Sequence, residues 1–145
     1  MSVLPASNPE GLMARFTIPG HQPRKSNSRQ IARGRIIKSE KALRYEEMAV
    51  TFLRLHKNLQ LDISVPVELS ADIYYPNTKC DLSDELLCDV LEKGGVLRND
   101  NLVRRKHIYW AGLDKKYPRC EIEIRILKDY PLEWFPRYTK KEALI

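Results

Sequence analysis

Lys79-Cys80-Asp81-Leu82-Ser83-Asp84-Glu85-Leu86-Leu87-Cys88-Asp89-Val90-Leu91-Glu92-Lys93-Gly94-Gly95-Val96-Leu97-Arg98-Asn99-Asp100-Asn101-Leu102-Val103 is the stretch around which the chain is organised. Asp81 or Ser83 is placed to cap a short helix, and Asp84 and Glu85 suit its positive N-terminal end. Leu82, Leu86, Val90 and Leu91 mark the buried side. Gly94-Gly95 stops the helix. Before it, Val67, Leu69, Ala71, Ile73 and Tyr75 alternate with Glu68, Ser70, Asp72 and Tyr74, which is the period of a half-buried strand. After it, Leu102 to Trp110 reads as a second strand. The stretch therefore joins two strands through a helix and loads the joint with acids.

Working outward, Met13 to Pro19 reads as an edge strand. His21 to Lys38 is polar and basic, a loop or irregular hairpin that Gly34 helps to turn. Ser39 is the N-cap of a helix running to about Lys57, with Ala42, Tyr45, Ala49, Phe52, Leu53 and His56 on one face. Arg119 to Lys128 is a further strand, with Cys120, Ile122, Ile124 and Ile126 on one side. Gly112 to Pro118 is expected to join it to the preceding strand as the loop of a hairpin. The fold class is α+β, a single domain with a mixed or antiparallel sheet and two main helices packed on one face. The expected layout is a flexible leader at 1–12, the domain at 13–128, and an aromatic and proline-bearing tail at 129–145 around Tyr130, Trp134, Phe135 and Tyr138.

A length of 145 residues fits one domain, and 43% hydrophobic content supports a core. The formal net charge of +6 points to an anionic partner, nucleic acid first. No stretch is long and apolar enough to span a membrane, and the start lacks the layout of a secretory signal. Three cysteines argue against a disulfide framework. Cys80, Cys88 and Cys120 read as reduced, partly buried thiols of a cytoplasmic protein, without a zinc spacing relative to His21, His56 and His107. The positive charge is clustered. From Arg24 to Arg44 there are eight basic residues and one acid, Glu40. Arg98, Arg104, Arg105 and Lys106 form a second group.

Acids set inside a basic chain are the arrangement expected of a metal-dependent nuclease, since cations hold phosphates and carboxylates hold the divalent ion. Asp81, Asp84 and Asp100 can converge if the helix start lies beside the turn after Gly95. The competing reading makes Asp81 and Asp84 ordinary helix caps. Glu85 and Asp89 are outer members of the acidic group or a solvated helix face. Asp72 points into the same site or to solvent. Lys25, Arg29, Arg33, Arg35, Arg104, Arg105 and Lys106 suit DNA backbone contacts that read no bases, with Asn27 as a polar contact or a turn residue. His107 is a strand-face histidine or a general base. No serine or cysteine has the partners of a nucleophile.

Taken together these residues resemble the RusA family of Holliday-junction resolvases, small dimeric endonucleases often carried by phages. The opening Ile18-Pro19-Gly20, Pro23, Lys25, Asn27 and Arg29 carries the likeness, with a basic stretch through Gly34-Arg35. The segments Asp81-Leu82, Asp89 to Val96 and Asn99 to Val103 follow, and then Ile122-Glu123-Ile124. The likeness covers roughly 13–128. It implies magnesium, with manganese as an alternative, held by carboxylates, and a lysine that assists phosphodiester cleavage. Counted back from Asp89, Asp81 takes the place of the family's second aspartate, Lys79 that of the first, and Glu85 that of the lysine. Counted forward, Asp81 and Asp84 are the pair and the lysine has no helical equivalent. Asp100 matches either way. The gap leaves room for Lys25 or another loop lysine near the metal.

The resemblance implies a magnesium-dependent endodeoxyribonuclease acting on four-way junctions and other branched DNA in recombination and repair. It implies a homodimer in the cytoplasm of a bacterial or phage-infected cell, with Asp81, Asp84 and Asp100 as catalytic and metal residues. Two alternatives stand beside it: a catalytically weakened relative that binds branched DNA, and a basic protein-interaction module.

Overall fold

The computed structural model describes residues 11–23, 29–32 and 35–134; for 29–32, 35–38 and 132 it describes the backbone alone. The elements run β1 (Leu12–Pro19), β2 (Arg29–Ala32), β3 (Arg35–Lys38), α1 (Glu40–Leu55), β4 (Val67–Tyr75), α2 (Leu87–Lys93), β5 (Val103–Leu113) and β6 (Arg119–Ile126). β2 and β3 form a separate antiparallel ribbon, so the basic stretch is a hairpin. The other four strands make one mixed sheet in the order β1-β6-β4-β5.

That order corrects one expectation. β5 and β6 do not form a hairpin, because β4 lies between them, parallel to β5 and antiparallel to β6. The burial pattern gives the reason. β4 is buried at every second residue along its whole length, from Val67 to Tyr75. Such a strand takes a central place, where both backbone edges are paired. β5 offers only the half-buried Val103, Ile108 and Trp110 to the core, and it sits at the edge.

Both helices cover one face of the sheet. Ala42, Tyr45, Ala49 and Leu53 of α1 and Leu87, Val90 and Leu91 of α2 join Ile18, Leu69, Ile73, Ile122 and Ile124 in one core. Ser39 caps α1 as expected, its hydroxyl accepting from the Ala42 amide at 3.2 Å. His56, read as part of the apolar stripe, is instead exposed beyond the helix end, its ring tilted against Phe52. Glu46 is buried in that face because Lys93 of α2 reaches it at 2.5 Å, tying helix to helix.

α2 is shorter than its sequence pattern. It begins at Leu87, and neither Asp81 nor Asp84 is its N-cap. Residues 80–84 are irregular because side chains take their backbone groups. The Tyr75 hydroxyl accepts from the Ser83 amide at 3.1 Å, and Gln22 donates to the Ser83 carbonyl at 2.7 Å. Those bonds replace the ladder a first helical turn would make. Leu82, assigned to the buried side, therefore lies outside the helix and is exposed.

At the other end, Gly95 adopts a left-handed φ of 85° that a glycine tolerates. An added Cβ there would meet the Gln60 side chain at 2.3 Å. Gln60 donates to the carbonyls of Leu53 and Gly94, closing the ends of both helices together. No helix among the described residues is long and apolar enough to cross a membrane.

Candidate active site

The acidic residues stand along the crossover that carries the chain from β4 through α2 to β5. The crossover is pinned by the loop after β1. His21 Nε2 lies 3.4 Å from Cys80 Sγ, and its ring meets Tyr75 edge-on. Trp110 stacks on Tyr75 and donates to the Cys80 carbonyl at 3.0 Å. With the two bonds on Ser83, these contacts fix the backbone on either side of Asp81-Leu82. Ser83 is buried, while Asp81 stays exposed and Asp84 half-buried. Four anchors in a row make the segment a preformed ledge for carboxylates rather than a loose loop.

Asp100 reaches the same end of the domain by another route. Ile63 bridges Leu97 in parallel, with the Arg98 amide donating to the Ile63 carbonyl at 2.8 Å. Arg98 also pairs with Asp62, and that guanidinium holds the Asp62 carboxyl below its usual range. The Asp100 amide donates to the Glu92 carboxylate of α2 at 2.7 Å. Glu92 thus sets the turn that presents Asp100, a role that sequence reasoning missed.

Asp84 and Asp100 both lie within electrostatic reach of Cys88. Burial pushes the Cys88 thiol up; the Lys106 ammonium opposes that rise, and the charges of Asp84 and Asp100 add to it. Lys106 lies 3.2 Å from Asp84. Burial pulls Lys106 down, but Cys88 and Asp84 outweigh it and hold the ammonium above its ordinary range. Asp81 is felt instead at the Tyr75 hydroxyl. Among the described residues, no three His, Cys, Asp or Glu side chains converge tightly enough to hold a metal ion. Asp84 and Asp100 nonetheless offer hard oxygens, and an ammonium already stands on Asp84 where a cation is favoured. That donor set suits an ion such as magnesium, which needs few protein ligands because it keeps its own waters.

The cations at the start of β5 do not act together. Strand alternation puts Arg105 and Lys106 on opposite faces, and the register shift between Val67 and Glu68 takes Arg104 out of that alternation. Arg104 donates to the Tyr130 hydroxyl and lies over that ring. Arg105 and His107 face Glu68 on the sheet side away from the helices. Lys106 alone of the three meets the acids. Asp72 lies on the face of Glu121 and Glu123, away from α2. Lys25, Asn27 and Arg33 fall outside the described residues. Arg29 and Arg35 lie on the β2–β3 ribbon, described by backbone alone. Cys80 and Cys120 are buried and Cys88 half-buried, all three as free thiols. Beyond Trp134 the tail is outside the described residues; up to there, Tyr130 and Trp134 pack edge to face.

A four-stranded mixed sheet with two helices on one face and carboxylates along a parallel crossover defines a small, single-domain α+β protein with one acidic end. The chain belongs to the endodeoxyribonuclease RusA family, whose sequence model matches residues 17–125. That span runs from β1 to β6 and includes every element of the acidic crossover. No curated protein matches the chain.

Proposed function

We propose that this chain is a divalent-metal-dependent endodeoxyribonuclease that resolves branched DNA, four-way junctions above all, as a homodimer. Membership of the RusA family supports the substrate class. The observation that carries the reading is the crossover whose backbone is anchored at Cys80 and Ser83, with Asp84 beside Lys106 and both Asp84 and Asp100 within electrostatic reach of Cys88. In this reading Asp84 and Asp100 hold the ion, and Asp81 lies close by on the same ledge. A magnesium or manganese ion bound there supplies charge relief to the phosphate and an activated water. The chain's own part is to hold the carboxylates in place, exclude water from the Ser83 side, and bind flanking phosphates. The basic stretch, with Lys25, Asn27, Arg29, Arg33 and Arg35, and the cation Lys106 are assigned to the DNA backbone. A twofold dimer would set two such sites for paired cuts.

A second reading has a specific observation in its favour. No preformed cluster of three ligands exists among the described residues, as expected of a relative that binds junctions without cutting them.

The test is a labelled four-way junction beside a matched linear duplex, with and without magnesium or manganese, for the wild type and Asp100→Asn. Metal-dependent paired nicking that the variant loses is the expected result. Tight, salt-sensitive junction binding without nicking in either metal selects the second reading. Neither binding nor nicking leaves a protein-interaction module.

A further inference from the structure

We propose that Lys106 is the cation that neutralises the scissile phosphate, delivered to the acidic site by the edge strand β5 and not by the helix α2. The proposal rests on the nuclease reading above and assigns a cleavage role to a residue otherwise counted among the flanking backbone contacts.

The placement follows from the sheet. Lys106 pairs in register with Leu69, on the side of β5 that also carries Ile108 and Trp110 beneath the helices. A charged residue there is tolerated because β5 is the edge: the stem runs along apolar surface and the ammonium emerges at the rim. The side chain remains 45% exposed. It comes out beside the start of α2, at 3.2 Å from Asp84 Oδ2. An ammonium at that distance from one oxygen of a ligating carboxylate adjoins whatever the other oxygen binds.

Among the described residues, four other cations of this region have partners of their own. Lys93, the lysine of α2 itself, is turned to Glu46 of α1. Arg98 is held by Asp62, Arg104 by Tyr130, and Arg105 faces Glu68. The α2 end of the site exposes Glu85 and Asp89 at intermediate burial, both acids. Phosphodiester cleavage builds negative charge on the phosphate and the leaving oxygen, and cations aimed at that charge supply much of the rate. Lys106 holds Asp84 until DNA arrives and then shares its donors with a phosphate oxygen. An ammonium has three N–H groups, so it can serve both.

The experiment compares the wild type, Lys106→Met and Lys106→Arg on the four-way junction, with kcat and KM separated and thermal stability as a control. Binding is measured in calcium, which allows assembly without counting turnover. Lys106→Met is expected to lower kcat about 100-fold, with junction affinity in calcium changed less than about 3-fold, as for one phosphate contact among many. Lys106→Arg, which keeps the charge, is expected to recover at least about a tenth of the wild-type kcat. A Lys106→Met protein that cuts at the wild-type rate overturns the proposal while the nuclease reading survives. So does one whose only defect is weaker junction binding. A wild type that cuts nothing in either metal overturns the nuclease reading and this proposal with it.

Discussion

Among the described residues, two groups of carboxylates are treated in opposite ways. On the sheet face away from the helices, acids and arginines are matched. Glu123 meets Arg15 at 3.1 Å and Arg125 at 2.6 Å. Glu121 and Asp114 share Arg119, whose guanidinium also lies over the Tyr74 ring. Charge there is spent locally, and the network resembles a cross-strand lattice that holds register. On the acidic crossover, backbone and aromatic groups fix the chain, Asp81 and Asp100 are exposed, and Asp84 meets Lys106 of the neighbouring strand. The contrast teaches that the scaffold of a site and its charges are supplied by different residues. Acids already matched by arginines keep a sheet together; acids held by their backbone remain available to a ligand.

Substitutions can break this contrast. The largest effect is expected at the crossover: Asp84→Asn lowers metal-dependent junction nicking by about 100-fold or more, while stability shifts by less than about 1 kcal/mol. An Asp84→Asn protein that nicks normally, or unfolds, would place Asp84 with the structural acids. Next comes the anchor. Gln22→Leu removes the bond to the Ser83 carbonyl inside the protein, which should lower Tm by about 4 °C. It should also depress nicking, although Gln22 bears no charge; a calorimetric scan beside the nicking assay reads both.

Smaller still, the joint change Glu121→Gln and Glu123→Gln should cost about 1 kcal/mol by denaturant unfolding, with nicking unchanged. A loss of nicking would show that the two faces communicate. The smallest effect is at Asp72. Burial first, then Glu121 and Glu123, raise its carboxyl above the ordinary range. The folded state therefore holds the proton more tightly than the unfolded chain. Ionised Asp72 disfavours folding above that range, and the penalty disappears as pH falls below the ordinary carboxylate value. Asp72→Asn should raise Tm by about 1 °C at pH 7 and not at all near pH 3. An equal gain at both pH values would refute the electrostatic cause.

What could be read from the sequence tracks how local the information is. β4 announces itself through period-two alternation, and α1 through Ser39 and its apolar stripe. The order strand, acidic helix, strand was legible, and so was the edge position of β1 as a short run ending at Pro19-Gly20; that the two strands flanking the helix run parallel was not. The place of β5 was not visible, because strand order depends on which strand saturates both edges. The helix start was misread at Asp81 or Ser83 because caps look alike whether or not Tyr75 and Gln22 claim the Ser83 backbone. Asp84 and Asp100 were legible as acids in a basic chain. That Lys106 would part from Arg105 follows from strand alternation; that it would also part from Arg104 was not legible, since the register shift takes Arg104 out of the alternation.

The pin between Gln22 and Ser83 also bears on the order in which the protein assembles. β4, α2 and β5 are consecutive and can meet through short-range contacts. β1 must find β6 across most of the chain, with Phe16 opposite Ile122, and such long closures come late in folding. Since the loop after β1 holds the acidic ledge, the ledge matures only when that last strand docks. Hydrogen exchange should show the Ser83 amide opening together with the amides of β1, while the centre of β4 stays closed. A nascent or partly unfolded chain would then hold the centre of its sheet before the acidic ledge is in place.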